Sequence, residues 1–320
     1  MNVGEALKFI RQKKGYKQRE MTTEYIDRSA YSRIENGTRS IRINDLQEIL
    51  NKLSIQAGEF FSYANLNKDY NQQEFRNTYY YCRSHPEDEQ KKKKLLGYYG
   101  KALSKEEKSL RDISNYISIK NGFCQLWDEV DAITQEEIQM IYEFLIDKEY
   151  YFLYDYIIIC NLIFQFNEAQ ADALIMKAIP VEDAELRDFE TKQIAHNAVL
   201  NLVTGRIYEG KFDEARKYIG LAEEQVKSFN DYSSKMHLYY TANLLEYIVS
   251  GKPEYYYKII NYINLLKDLG EELYASELSN EVQTLTHGNP KEEIRNHNFS
   301  ASLTYDINAD TSGNSTDEKE

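Results

Sequence analysis

Arg28, Ser29, Ser32 and Arg33 fall on one side of a predicted helix, which presents two cations and two short hydroxyls together. That set suits a polyanion with readable edges. Guanidinium groups pair with phosphates or with guanine, and hydroxyls reach base edges without bulk. Ala30, Tyr31 and Ile34 fall on the opposite side, where they suit packing against preceding helices. Asp27 stands where a carboxylate can accept from the first-turn N–H groups. Gly37 follows the last turn, where a left-handed residue avoids a Cβ clash. An ordinary amphipathic surface helix shows the same two faces, so the flanking elements must decide between the readings.

The residue types that usually carry catalysis or bind metals are present but not arranged for it. The histidines at 85, 196, 237, 287 and 297 show no ligand spacing, and Gly97-Tyr98-Tyr99-Gly100-Lys101 is too short for a phosphate loop. His196 reads as a groove or core residue. Cys82, Cys124 and Cys160 lie 42 and 36 residues apart, which fits neither a disulfide framework nor a zinc site. No catalytic residue, metal site or cofactor is expected. Lys91 to Lys94 is either a phosphate-binding patch or a solvated helix start.

The elements around Arg28–Glu35 give it a context. Val3 to Lys14 reads as a helix with Leu7, Phe9 and Ile10 inward, closed by Gly15. Gln18 then opens a helix at a position suited to a phosphate contact. Thr38-Arg39-Ser40 is a loop in which Arg39 can grip the DNA backbone, Asn44 to Leu53 a helix, and Ala57 to Tyr63 a fifth. A helix-turn-helix is the arrangement in which a second helix lies in the major groove. Residues 1–66, with Ser32-Arg33-Ile34-Glu35-Asn36-Gly37 after the third helix, resemble the Cro/C1-type repressor domain. The resemblance implies that Arg11 and Glu35 form a structural ion pair. Here Thr22 stands where Ala is usual, and the turn lacks its Gly and is one residue short.

Charge divides the chain in the same place. Residues 1–66 hold eleven Lys/Arg against eight Asp/Glu, while the whole chain of 320 residues is at −13, so the remainder carries −16. A basic head on an acidic body fits a module that meets nucleic acid while the body avoids it. The N-terminus enters a charged helix without a signal-peptide core, and the most apolar run, Tyr151 to Phe166, is interrupted by Asp155 and Asn161. A cytoplasmic protein is expected, with no membrane partner.

From about Gln72 to Leu285 helical periodicity dominates and no strand alternation appears, so an all-α class is predicted. Ser104-Lys-Glu-Glu and Thr134-Gln-Glu-Glu read as capping signals that open helices running to Ile119 and Ile146. Further helices are expected over 151–164, 167–178, 186–209, 212–229, 233–249, 254–269 and 271–285. Gly210-x-Phe212-x-x-Ala215-x-x-x-Ile219-x-x-Ala222 matches half of a tetratricopeptide unit, and Gly251-x-Pro253-x-x-Tyr256-x-x-x-Ile260-x-x-Ile263 repeats it 41 residues on. Phe166-x-x-Ala169-x-x-x-Ala173 is a weaker copy. Generic helix hairpins would produce a similar pattern.

A Cro/C1-like head before such a body resembles the Rgg/PrgX-type peptide-pheromone-responsive regulators, among which PlcR is counted, as far as about residue 288. Three segments are expected: residues 1–66 for DNA binding, 67–288 as a TPR-like dimerisation and peptide-binding body, and a polar tail over 289–320. The resemblance implies a homodimer that binds an operator in double-stranded DNA and a short signalling peptide. It also implies that asparagine amides on the inner helices hold the peptide backbone. The positions that fit are Asn161, Asn197, Asn201 and Asn243. A ligand-independent dimeric repressor and a repeat scaffold for a protein partner remain alternatives. In the tail, Phe299 to Ile307 alternates apolar and polar residues, either as a strand-forming arm or by chance.

Overall fold

Every regular element is an α-helix or a 3-10 turn among the residues that the computed structural model describes, 1–64, 70–227 and 229–287. The tail segment 299–307 lies outside them. The chain separates into two compact units, Met1–Tyr81 and the chain from Cys82 onward.

The first unit opens with α1 (Val3–Lys13), which starts on a reciprocal cap: Asn2 Oδ1 accepts from Glu5 N at 3.0 Å and Glu5 Oε2 from Asn2 N at 2.9 Å. A single 3-10 turn, Gln18–Glu20, follows, then α2 (Arg28–Glu35), α3 (Ile43–Leu53), α4 (Ala57–Tyr63) and α5 (Tyr70–Ser84), which spans the junction. The full helix expected from Gln18 does not form. Met21 and Ile26 both turn into the core, so the backbone follows them inward instead of continuing a helix. Thr23 closes the resulting loop, its hydroxyl accepting from Ile26 N at 3.1 Å while its own N–H donates to Ile26 O at 2.9 Å. No residue of this loop has a positive φ, which is why it needs no glycine. Leu7, Ile10, Tyr31, Ile34, Ile49, Leu53 and Phe60 close the core.

Gly4 allows α1 to meet α2. A Cβ there would sit 2.1 Å from the Ile34 carbonyl oxygen, a backbone atom that cannot swing away.

The second unit contains α6 (Glu89–Leu103), α7 (Leu110–Phe123), α8 (Gln135–Ile146), α9 (Leu153–Leu162) and α10 (Glu168–Ala178). These lead into α11 (Phe189–Tyr208), α12 (Phe212–Lys227), α13 (Tyr232–Ser250), α14 (Pro253–Asp268) and α15 (Glu272–His287). The Thr134 cap forms as expected, but Ser104 ends α6 instead of opening α7. The cap of α7 is Ser109, whose Oγ accepts from Asp112 N at 3.2 Å while Asp112 Oδ2 accepts from Ser109 N at 3.1 Å. Asp112 also pairs with Lys105 at 2.7 Å, which fixes the connector in front of that cap.

The repeat spacing marks real corners. Gly210 and Gly251 both sit at positive φ, 76° and 65°, between the paired helices. Ala215 and Ala222 are fully buried in the main core, where their small side chains let α12 lie close on α11. The odd-numbered helices α7, α9, α11, α13 and α15 form one row, each packed on the next, while α12 packs on both α11 and α13, and α14 on both α13 and α15. Arg206, 3% exposed, ties three helices together through Asp172 of α10 at 2.6 Å, Glu209 at 3.0 Å and Glu214 of α12 at 2.9 Å.

Candidate nucleic-acid interface and ligand face

Local chemistry sets the orientation of α2. Asp27 Oδ1 accepts from Ala30 N at 2.7 Å, which starts the helix, and Gly37 at φ 72° lets the chain leave it. Ala30, Tyr31 and Ile34 are buried, and Arg28, Ser29 and Arg33 are exposed with Ser32 half-buried beside them. Arg28, Arg33 and Arg39 make no ion pair among the described residues and are free to meet an anion. The N-terminus of α2 adds a partial positive charge at Arg28 and Ser29.

Behind this face lies the implied ion pair. Arg11 Nε and Nη2 donate to the two Glu35 oxygens at 2.5 and 2.9 Å, in the two-pronged geometry that suits a guanidinium. Burial by itself would push the Glu35 carboxyl up; the hydrogen bonds from Arg11 and Gln18 outweigh it and hold the carboxyl below the usual range. Gln18 is thus placed with its Nε2 on Glu35 Oε2 at 2.7 Å, half-buried against the pair. Tyr25, 67% exposed just before the Asp27 cap, and Ile43, 74% exposed at the start of α3, join the candidate surface with Arg42. Apolar groups of this kind contact thymine methyls. Their periodicity gives no sign of it; only their exposure does.

The four asparagines of the second unit are placed in different ways. Asn197 of α11 is buried, only 5% exposed. Asn161 Nδ2 donates to Ser118 Oγ of α7 at 3.3 Å and to Ile157 O at 2.8 Å. Asn201 is fully enclosed, with Nδ2 on the Cys160 carbonyl at 3.2 Å and its Oδ1 unpartnered. Asn243 Nδ2 donates to Tyr239 O at 2.6 Å on the side of α13 that carries Glu246, which pairs with Arg216 of α12. The row therefore brings Asn161 and Asn201 together around the end of α9. Asn121 adds a member that the spacing did not reveal: its Nδ2 donates to the Asn161 carbonyl at 2.9 Å. Asn121 and Asn201, from the two neighbouring helices, thus satisfy adjacent carbonyls where α9 runs out of its own donors.

A cavity of about 410 Å³ opens at the N-terminal ends of α9 and α11, lined in part by Tyr150, Phe152, Leu186, Arg187 and Thr191. The Arg187 guanidinium lies 4.0 Å from the Tyr150 ring centre and 5.0 Å from that of Phe152, so the cation is held by stacking. Among the described residues no group of three or more His, Cys, Asp or Glu side chains could hold a metal ion. No helix among them is long and apolar enough to cross a membrane.

Residues 7–60 match the helix-turn-helix family, so the first unit carries that fold. The whole described architecture is an all-α fold shared with several solved structures. A bacterial peptide pheromone receptor, determined as its pheromone complex, superposes with a TM-score of 0.75 at 19% identity, over 89% of this chain and 99% of that one. The PrgX/cCF10 complex gives 0.74 at 19%, over 89% and 100%. The SHP pheromone receptor Rgg2 of Streptococcus dysgalactiae gives 0.71 at 18%, over 88% and 100%. No curated protein sequence matches the chain.

Proposed function

We propose that this protein is a cytoplasmic, non-enzymatic transcription regulator that binds an operator as a homodimer and changes its operator affinity when a short peptide occupies the second unit. The observation that carries the reading is the unpaired cationic face of α2 at the head of a chain that superposes almost end to end on pheromone receptors. DNA binding is assigned to residues 1–66, with Arg28, Ser29, Ser32 and Arg33 at base edges and phosphates and Arg39 on the backbone. Gln18 reaches a phosphate only by leaving Glu35, so its contribution is to hold the pair. The body, 67–288, supplies the dimer and the peptide site, with Asn197 as its central amide and Asn161 and Asn243 flanking it. Asn201 supports that site by fixing α9 to α11.

The test is a selection of genomic fragments on the full chain, followed by footprinting. Two half-sites about 34 Å apart, or a multiple of that, are expected from paired heads. Repeating the footprint with pooled apolar octapeptides should shift the concentration needed for protection. Protection of single half-sites by a monomer, unmoved by any peptide, would overturn the reading.

A further inference from the structure

The last three helices gather a set of side chains that the DNA-binding and amide assignments do not use. Tyr240 of α13 is 1% exposed, and its hydroxyl donates to Glu281 Oε2 of α15 at 2.6 Å, with the Leu278 carbonyl a more distant acceptor at 3.3 Å. The second Glu281 oxygen has no partner among the described residues. One turn earlier stands Glu277, and neither carboxyl makes an ion pair within the described chain. Arg83, held on the Gly122 carbonyl at 2.8 Å, is the cation near enough to act on Glu277.

Rings gather around Tyr240. The His237 ring centre lies 6.1 Å from that of Tyr274 and 6.4 Å from that of Tyr240, and Tyr240 lies 5.6 Å from Tyr262. Glu281, Tyr274 and His237 are each half-buried, so the cluster opens to solvent while Tyr240 closes its floor. Beside it His196 of α11 is fully enclosed, with neither ring nitrogen at hydrogen-bonding geometry to a partner. Burial pulls His237 down to about 3 and His196 to about 4, so both are neutral and supply no counter-charge.

A carboxylate with one oxygen fixed by a tyrosine, the other free, and π faces gathered around that tyrosine is complementary to a cation. The ring quadrupoles and the carboxylate attract the same sign of charge, and the attraction grows as water is excluded. The acidic body, at −16 beyond residue 66, adds a long-range field of the same sense.

We propose that the cluster between α13 and α15 binds an ammonium group of the peptide, with Glu281 as its counter-ion and Tyr240, Tyr274 and His237 as its walls. This rests on the peptide-binding reading above. The ammonium can belong to a free N-terminus or to a lysine side chain.

The probes are four pools of random Leu/Ile/Val/Phe octapeptides: free amine, N-acetylated, N-acetylated with one Lys, and N-acetylated with one Glu. Each is passed over the immobilised full-length protein and bound peptide is counted by mass spectrometry. The free-amine pool, the lysine pool or both should be retained at least tenfold over the acetylated and glutamate pools, and which one responds identifies the source of the ammonium. Glu281→Gln keeps an acceptor for Tyr240 and should bring all pools within twofold of each other, with a melting temperature showing that the fold persists. Retention of all pools equally by the parent protein overturns the ammonium site and leaves peptide binding standing. A Glu281→Gln variant that still discriminates also overturns it. Retention of no pool overturns both.

Discussion

Three arginines in the first unit look alike in the sequence and differ in consequence. Arg28 and Arg33 are exposed and unpaired, so Arg28→Ala or Arg33→Ala should lose a DNA contact, each bidentate contact to guanine being worth about 1–3 kcal/mol, with no change in melting temperature. Gel retardation with the selected operator reads the first effect and calorimetry the second. Arg11 is buried against Glu35, and Arg11→Ala strands that carboxylate, which should destabilise the fold by about 3–5 kcal/mol. The asparagines divide similarly. Asn201→Ala removes the bond to the Cys160 carbonyl and should cost on the order of 1–3 kcal/mol in urea unfolding, whereas Asn197→Ala should weaken peptide retention. Unchanged retention by the Asn197→Ala variant would count against the distinction.

At the scale of elements, close approaches and caps carry the sharpest expectations. Gly4→Ala places a methyl 2.1 Å from the Ile34 carbonyl, and α1 must shift off α2, at about 1–3 kcal/mol. The shift reaches the DNA-binding face through α2, so operator affinity should fall along with stability. Gly205→Ala meets the Phe164 ring at 2.9 Å, a contact that a side chain can relieve, and should cost less. For α7, Ser109→Ala should destabilise by about 0.5–2 kcal/mol while Ser104→Ala should be silent, as denaturant midpoints will show. A reversed order would return the start of α7 to Ser104.

The molecule as a whole should show a pH optimum set in the second unit. His196 and His237 titrate near 4 and 3 in the fold because burial disfavours their charge, and the unfolded chain protonates them near 6.5. Their neutral forms are tolerated above 6.5, and stability is lost as pH falls from there toward 4. Burial pushes Glu281 the other way, up to about 7. Its contribution is intact below about 4.5 and is lost as pH rises through 7, because the unfolded chain ionises more readily. With the carboxyl partly open to solvent, the loss is on the order of 1–2 kcal/mol. Thermal melts should therefore show Glu281→Gln more stable than the parent at pH 8 and equal to it near pH 4.5. An unchanged difference across that range would remove Glu281 as the cause.

The features that residue types and spacing carry on their own are local. The Asp27 cap, the Gly37 exit, the two faces of α2 and the Gly210 and Gly251 corners follow from interactions within about four residues, which type and spacing encode directly. The Arg11–Glu35 pair, 24 residues apart, was legible through the resemblance of the surrounding pattern and not from spacing. Tertiary structure decided the rest. Gln18 and Met21 lie where a helix could continue, and core packing turned the chain inward instead. The asparagines read as equivalent because each sits on a helix of the right order. Asn243 bonds within its own helix, but Asn201 on Cys160 and Asn121 on Asn161 reach partners about 40 residues away, on whichever helix packs alongside. The Tyr240–Glu281 contact joins residues 41 apart and gave no pattern at all. An amide or a carboxyl declares what it can bond, but which donor reaches it is set by how the helices stack.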